Sequence, residues 1–231
     1  MSESTTAQQP APYIRRATAA DSPALSHICL VTADAGNSAE ALHTAGELPG
    51  LLYAEPYAHL PTGFGYVLVD PAQPAFAGVV GYVLGTWDTR QFERDLDAVW
   101  FPPHRERYPA AAGAPDATNA APPHLRGLTP EDRKFVRLIH APPAAPDVAV
   151  AFSPAHMHID ITAAYQRQGW GKKLIGELVR FLRDEKGLEG LWLGLDPRNN
   201  NARKFYSRLG FKNMPEAPGA VMSLSFADWR D

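Results

Sequence analysis

Apolar residues alternate with polar ones in some stretches of the chain and recur every three or four positions in others, and these two periods divide it into strands and helices. Met157, Ile159 and Ile161 alternate with His158 and Asp160, which predicts a strand. Leu174, Ile175, Leu178, Val179 and Leu182 then recur at helical spacing after Gly171. Residues 191–195 read as a second strand. Ala202, Phe205, Tyr206 and Leu209 form the stripe of a helix stopped by Gly210, and Met222, Leu224 and Phe226 alternate as a closing strand.

The first half is less regular. Residues 13–17 read as a strand, and Asp21 is expected to cap a helix with Pro23 in its first turn and Leu25, Ile28 and Val31 on its apolar side. Two β-rich runs, 64–69 and 78–86, are separated by Asp70, Pro71 and Pro74, the pattern of an antiparallel pair. Residues 48–61 carry Tyr53, Tyr57 and His59, and either line a pocket or form a satellite of the core. The span 87–150 is the least periodic. It is enriched in Ala and Pro at 109–123, read as a mobile loop, and again at 141–146. Within it, Thr129 to Asp132 resemble a helix start, with Phe135, Val136, Leu138 and Ile139 as the apolar side.

Composition narrows the classes. A chain of 231 residues with 45% hydrophobic and 20% charged residues can bury one good core, so a single domain over 13–226 is expected, with a disordered tail at 1–12 and an insertion at about 88–150. A formal charge of −3 gives no reason to seek nucleic acid or anionic membranes. The one cysteine, Cys29, has no partner for an internal disulfide and sits in an apolar stretch, so a buried thiol is expected. No apolar run approaches the roughly 20 residues of a membrane span, and the start is polar. An intracellular protein, cytoplasmic or nuclear, follows as the expectation, with a homodimer allowed.

The chemistry concentrates in one loop. Between the strand ending at Ile161 and the helix that follows runs Tyr165-Gln166-Arg167-Gln168-Gly169-Trp170-Gly171-Lys172-Lys173. A helix N-terminus offers unpaired N–H groups and a positive dipole end, which suits phosphate. Gly169 and Gly171 let the backbone approach closely, while Gln166, Arg167, Lys172 and Lys173 add polar or cationic groups that favour a pyrophosphate. The spacing fits neither the phosphate loop ending in Gly-Lys-Ser/Thr nor the three-glycine dinucleotide fingerprint.

This stretch resembles the first signature motif of the GNAT superfamily of N-acetyltransferases: Gln or Arg, two residues, Gly, any residue, Gly or Ala. Gln166, Gly169 and Gly171 fill its positions, and Asn199, Ala202, Tyr206, Gly210 and Phe211 match the second motif, a helix carrying a tyrosine and ending in Gly-Phe. The resemblance covers most of residues 13–226 outside the insertion. It implies an α/β fold with a mixed, mostly antiparallel sheet of about six or seven strands flanked by helices, the insertion falling between strands 3 and 4. Within the superfamily, residues 48–69, 87–108 and Ile139-His140 look most like the acetyltransferase-like domain of eukaryotic O-linked N-acetylglucosaminidase and its free-standing microbial relatives.

The resemblance implies acetyl-CoA as co-substrate. Its pantetheine arm would pair with the backbone of Ile159 and Ile161, and its remaining contacts would come from Gln166, Arg167, Gln168, Gly169, Trp170, Gly171, Lys172, Asn199, Ala202 and Tyr206. The acceptor amine must be neutral to attack, and a lysine-like amine is neutral about once in 2,500 molecules at pH 7, so a base is needed. Asp160, His158 and Asp88 are the candidates, and Tyr206 resembles the family's general acid for the leaving thiolate. Tyr57, Trp87, Asp88 and Asp160 are expected to contact a small polar amine such as an amino sugar. Protein lysine and a non-catalytic CoA-binding module are the alternatives. His156, His158 and Asp160 also spell the start of a zinc-hydrolase motif, but no further histidine follows His158, so no metal is expected.

Overall fold

The computed structural model describes residues 10–114 and 122–230. Its strands are β1 (Tyr13–Arg16), β2 (Gly63–Val69), β3 (Val79–Thr86), β4 (His156–Ile161), β5 (Gly190–Gly194), β6 (Lys212–Asn213) and β7 (Val221–Ser225). They form one seven-stranded sheet in the order β1-β2-β3-β4-β5-β7-β6. Every neighbouring pair is antiparallel except β4 and β5, which run parallel. The mixed, mostly antiparallel α/β architecture is therefore as expected.

The helices are α1 (Ser22–Leu30), α2 (Leu48–Tyr53), α3 (Pro56–His59), α4 (Thr89–Asp95), α5 (Phe101–Arg107), α6 (Pro130–His140), α7 (Asp147–Phe152), α8 (Trp170–Arg180) and α9 (Asn200–Arg208). Strand β3 is an interior strand, between β2 and β4, and all its residues are buried. Its side chains alternate between two cores. Val83 joins Met157 and the α8 residues Leu174, Ile175, Leu178 and Val179 on one side. On the other, Tyr82 and Leu84 pack on Leu25, Ile28 and Cys29 of α1. Each of the four α8 side chains is fully buried, and each contributes at most about 1.5–3 kcal/mol to holding that helix on the sheet.

Local departures from the sequence reading have physical causes. Asp21 does not cap α1 with its side chain. Its carboxylate instead accepts from the Thr18 N–H at 2.8 Å and from the two terminal guanidinium nitrogens of Arg15, closing a capping box one turn earlier.

The span between β3 and β4, expected to be the least regular, is largely helical, and within it α6 begins at the helix start read at Thr129–Asp132. Helix α4 runs through a wide turn into α5, where the Phe101 N–H reaches back to the Leu96 carbonyl. The mobile loop expected at 109–123 falls partly on residues 115–121, outside the described residues. Ala112 and Gly113 before it are buried.

This span has its own core, in which Leu48 and Leu51 of α2 meet Phe101, Tyr108, Phe135, Val136 and Ile139. Asp132 fastens it. The fully buried carboxylate accepts hydrogen bonds from the backbone N–H groups of Thr129 and Thr44, the Thr44 hydroxyl and His43 Nδ1.

Candidate active site

Strands β4 and β5 touch at a single ladder pair, His156 with Trp192, and then diverge. In the antiparallel β3–β4 ladder, bonding residues alternate, and the Thr162 N–H bonds the Val80 carbonyl at 3.0 Å. Even-numbered β4 residues therefore spend their backbone groups on β3, and odd-numbered ones turn theirs toward β5. The Ile161 carbonyl is taken by Gln166 Nε2 at 2.8 Å. Beyond the single pair, the Ile159 N–H and C=O have no partner among the described residues and face the wedge between the strands. An extended chain laid in that wedge would find an unfilled strand edge.

The loop 166–169 closes one end of the wedge. Arg167 and Gly169 both have left-handed backbone, at φ 60° and 84°, which turns the chain into α8. The N–H groups of Gly169, Trp170, Gly171 and Lys172 come before the first bond into the helix, from the Lys173 N–H to the Gly169 carbonyl, and bond to nothing else among the described residues. A Cβ on Gly171 would lie 2.8 Å from Phe205 Cζ, so glycine there lets α8 and α9 approach. Arg167, Gln168 and Lys172 are exposed around this turn, Gln168 bonding the Ala164 carbonyl, and Lys173 lies over the Trp170 ring at 4.2 Å. Free amides, a dipole end and surrounding cations are a fitting receptor for a pyrophosphate.

Asn199 caps α9 by accepting from the Ala202 N–H at 2.9 Å. One helical turn beyond Ala202, Tyr206 is buried against Phe205 and Phe211, and its hydroxyl makes no hydrogen bond among the described residues. Burial, then the nearby Asp160 carboxylate, pushes its pKa up, so it stands as a protonated phenol.

On the α1 side of β4, His158 Nε2 lies 2.9 Å from Asp160 Oδ2, and the Tyr82 hydroxyl donates to the same oxygen at 2.7 Å. Tyr53, on α2, is 43% exposed with its ring 6.3 Å from that of His158. Tyr82 escaped the sequence reading as a site residue, whereas Tyr53 lies in the 48–61 stretch expected either to line a pocket or to form a satellite of the core. Tyr82 had a signal, being the one side chain with an acidic proton in the run Val-Val-Gly-Tyr-Val-Leu of β3.

Other expected residues lie elsewhere. Trp87 faces the α8 side, against Phe64 and Phe181, with Lys186 over its ring at 3.7 Å. Asp88 caps α4 by accepting from the Gln91 N–H at 2.9 Å, beyond the opposite end of β4 from Asp160. Tyr57 is buried, stacked on Phe92, and bonds His156 Nε2 at 2.8 Å. Burial and then His158 lower the pKa of His156 to about 3, leaving it neutral, with Nδ1 against the Thr89 hydroxyl. Both its nitrogens are thus used in the core. Of the four residues expected to meet the acceptor, only Asp160 adjoins His158 and the wedge.

The ligand atoms of Cys29, His158 and Asp160 lie within 4.8 Å of one another, the only such candidate metal group among the described residues, and they are already linked by hydrogen bonds to each other and to Tyr82. A polar cavity of about 440 Å³, open to solvent, lies between the 34–37 turn and the start of α9. Asp34, Asn37, Arg198, Asn199, Asn200 and Asn201 line it, and Arg198 bridges Asp34 and Asp196.

Residues 94–211 match the family described as acetyltransferase (GNAT) family. The chain belongs to that family. Its members use acetyl-CoA, so the expected N-acetyltransferase class holds at the family level. The crystal structure of SsHAT is similar to this chain at 33% identity and a TM-score of 0.74, over 94% of this chain and 98% of that one. A ribosomal protein bS18-alanine N-acetyltransferase of Haemophilus influenzae is 40% identical over 57 residues, 25% of this chain. That match spans 38% of the length of the curated relative. No helix among the described residues is long and apolar enough to cross a membrane.

Proposed function

We propose that this protein transfers the acetyl group of acetyl-CoA to a primary amine carried by a polypeptide. The observation that carries the reading is the continuity of two unfilled backbone surfaces, the Ile159 edge of β4 and the first turn of α8. Pyrophosphate on the N–H groups of 169–172 would direct the pantetheine arm along β4, with the thioester beside the Ile159 region. A free N–H there stabilises the oxyanion of the tetrahedral intermediate. Tyr206, protonated and unpaired, supplies the proton for the departing thiolate, and the His158–Asp160 pair takes the proton from the amine.

Two observations support a polypeptide acceptor. Small-molecule sites enclose most of their ligand, whereas the cavity beside Asn199 is open to solvent. The matching curated relative is named for acting on a ribosomal protein's alanine. An amino sugar is the second reading. The amides of Asn37, Asn199, Asn200 and Asn201 suit hydroxyl groups, and the likeness to the acetyltransferase-like domain of O-linked N-acetylglucosaminidase belongs with it. Trp87 and Tyr57, however, offer such a sugar no stacking surface.

The test is release of free CoA from acetyl-CoA with three acceptors: a peptide beginning in alanine, a lysine peptide blocked at its N-terminus, and glucosamine. A peptide is expected to give the highest kcat/KM. Faster turnover with glucosamine would select the second reading, and no turnover with any amine, together with no heat on titrating CoA, would reject acetyl transfer.

A further inference from the structure

Tyr82 stands opposite Asp160 in the β3–β4 ladder and is fully buried. Its hydroxyl meets Asp160 Oδ2 at 2.7 Å, His158 Nε2 at 3.1 Å and the thiol of Cys29. Who donates to whom follows from the proton count. Burial, then the Asp160 charge, pushes the Tyr82 phenol and the Cys29 thiol well above their usual ranges, so each keeps its proton. The phenol has one hydrogen, directed at Asp160, and its oxygen can accept that of Cys29. A carboxylate oxygen already accepting from Tyr82 has no hydrogen to give. Its 2.9 Å contact with His158 therefore requires the imidazole hydrogen to sit on Nε2. The lone pair is left on Nδ1, which bonds to nothing among the described residues.

We propose that Asp160 holds His158 in its Nε2–H tautomer, making Nδ1 the atom that takes the acceptor's proton, and that Tyr82, with Cys29 behind it, is a positioning residue that orients the Asp160 carboxylate and tempers its pull on that hydrogen. This rests on the acetyl-transfer reading. The amine nitrogen bonds the thioester carbonyl carbon and loses one proton to Nδ1. The C–S bond breaks, its electron pair goes to sulphur, and the thiolate takes one proton from Tyr206; solvent then restores both groups. The resulting imidazolium is steadied by its Nε2–H bond to Asp160. The other titratable groups around this cluster are His156 on β4 and Tyr53 on α2, with Glu55 acting on Cys29 and Asp160 acting on Tyr206.

The test pairs a spectrum with a pH profile. In the full chain labelled with 15N-histidine, the neutral His158 ring, assigned by its loss in His158→Gln, should show hydrogen on Nε2. In Tyr82→Phe the ring still fills its place, but Asp160 loses a donor and holds the imidazolium proton more tightly. The acid limb of kcat/KM should then move up by about one pH unit, with CoA affinity unchanged by calorimetry. Cys29→Ser keeps a donor and should keep the wild-type profile, whereas Cys29→Ala should shift it in the same direction by less. An Nδ1–H tautomer in the wild type, or a Tyr82→Phe profile that superimposes on the wild type, overturns the proposal. Should Tyr82→Phe fail to fold, the wild-type spectrum and Cys29→Ala decide. Should no amine be acetylated, the functional reading falls while the spectrum still settles the tautomer.

Discussion

Replacing Asp132 by alanine removes the anchor between α6 and the 43–45 stretch. The carboxylate is wholly buried and accepts from the Thr129 and Thr44 N–H groups at 2.9 and 3.0 Å and from His43 Nδ1 at 2.7 Å. The Thr44 hydroxyl has a second acceptor in the Gly127 carbonyl, but these three donors have no alternative among the described residues. A buried donor left unpaired costs about 1–3 kcal/mol, and water entering the space recovers part of it, so a loss of roughly 4 kcal/mol is expected. For a chain of this length that lowers Tm by roughly 10 °C. The same change should reach the site: Phe135 lies edge-on to both His43 (5.2 Å) and Tyr53 (5.9 Å), and Tyr53 borders His158. Thermal unfolding by circular dichroism measures the first effect, and acceptor KM, expected to rise with CoA affinity intact, measures the second. A Tm within about 2 °C of the wild type would refute the reasoning, since it would mean the donors find partners as good elsewhere.

Three further outcomes follow. Burial raises the Asp132 pKa, but its bonds to Thr129, Thr44 and His43 prevail and hold it below the usual range, so its stabilisation is present above about pH 4 and is lost as pH falls through the lower folded value; acid titration of Asp132→Asn should lack that part of the wild-type loss. Gly171→Ala forces the Phe205 ring or the start of α8 to move from a 2.8 Å approach, and calorimetry should show CoA affinity down by roughly tenfold, about 1.4 kcal/mol. Tyr206→Phe removes a hydroxyl with no hydrogen-bond partner among the described residues, so Tm should hold within about 1 °C while kcat falls by about 10²-fold; unchanged kcat would remove Tyr206 from proton transfer.

The cofactor side was readable because its signal is local. A strand, a two-glycine turn and a helix are consecutive in the chain, and their period and spacing survive any tertiary arrangement. The acceptor side was not, because there a side chain's place depends on which face of a strand it occupies and what packs on that face. Trp87 follows Thr86 by one residue and so turns to the α8 side, away from His158. Tyr57 was expected to meet the acceptor, but α4 brings Phe92 over it. Of the helices in the 87–150 span, α6 was legible from its start at Thr129–Asp132, while α5 was hidden for a related reason: its Phe101 is satisfied by α2, some fifty residues earlier, so that stretch shows little period of its own.

The lone His156–Trp192 pair gives the molecule a seam. The strands from β1 to β4 and the trio β5, β7 and β6 are each internally well laced, yet across the seam the lacing stops after one rung. A guest chain seated there would act as a keystone, turning two partial sheets into one stiffer body. Amide exchange at Ile159 should then slow far more on saturation with CoA than exchange anywhere in β2, because at the seam, unlike in β2, the occupant supplies a partner the polypeptide lacks.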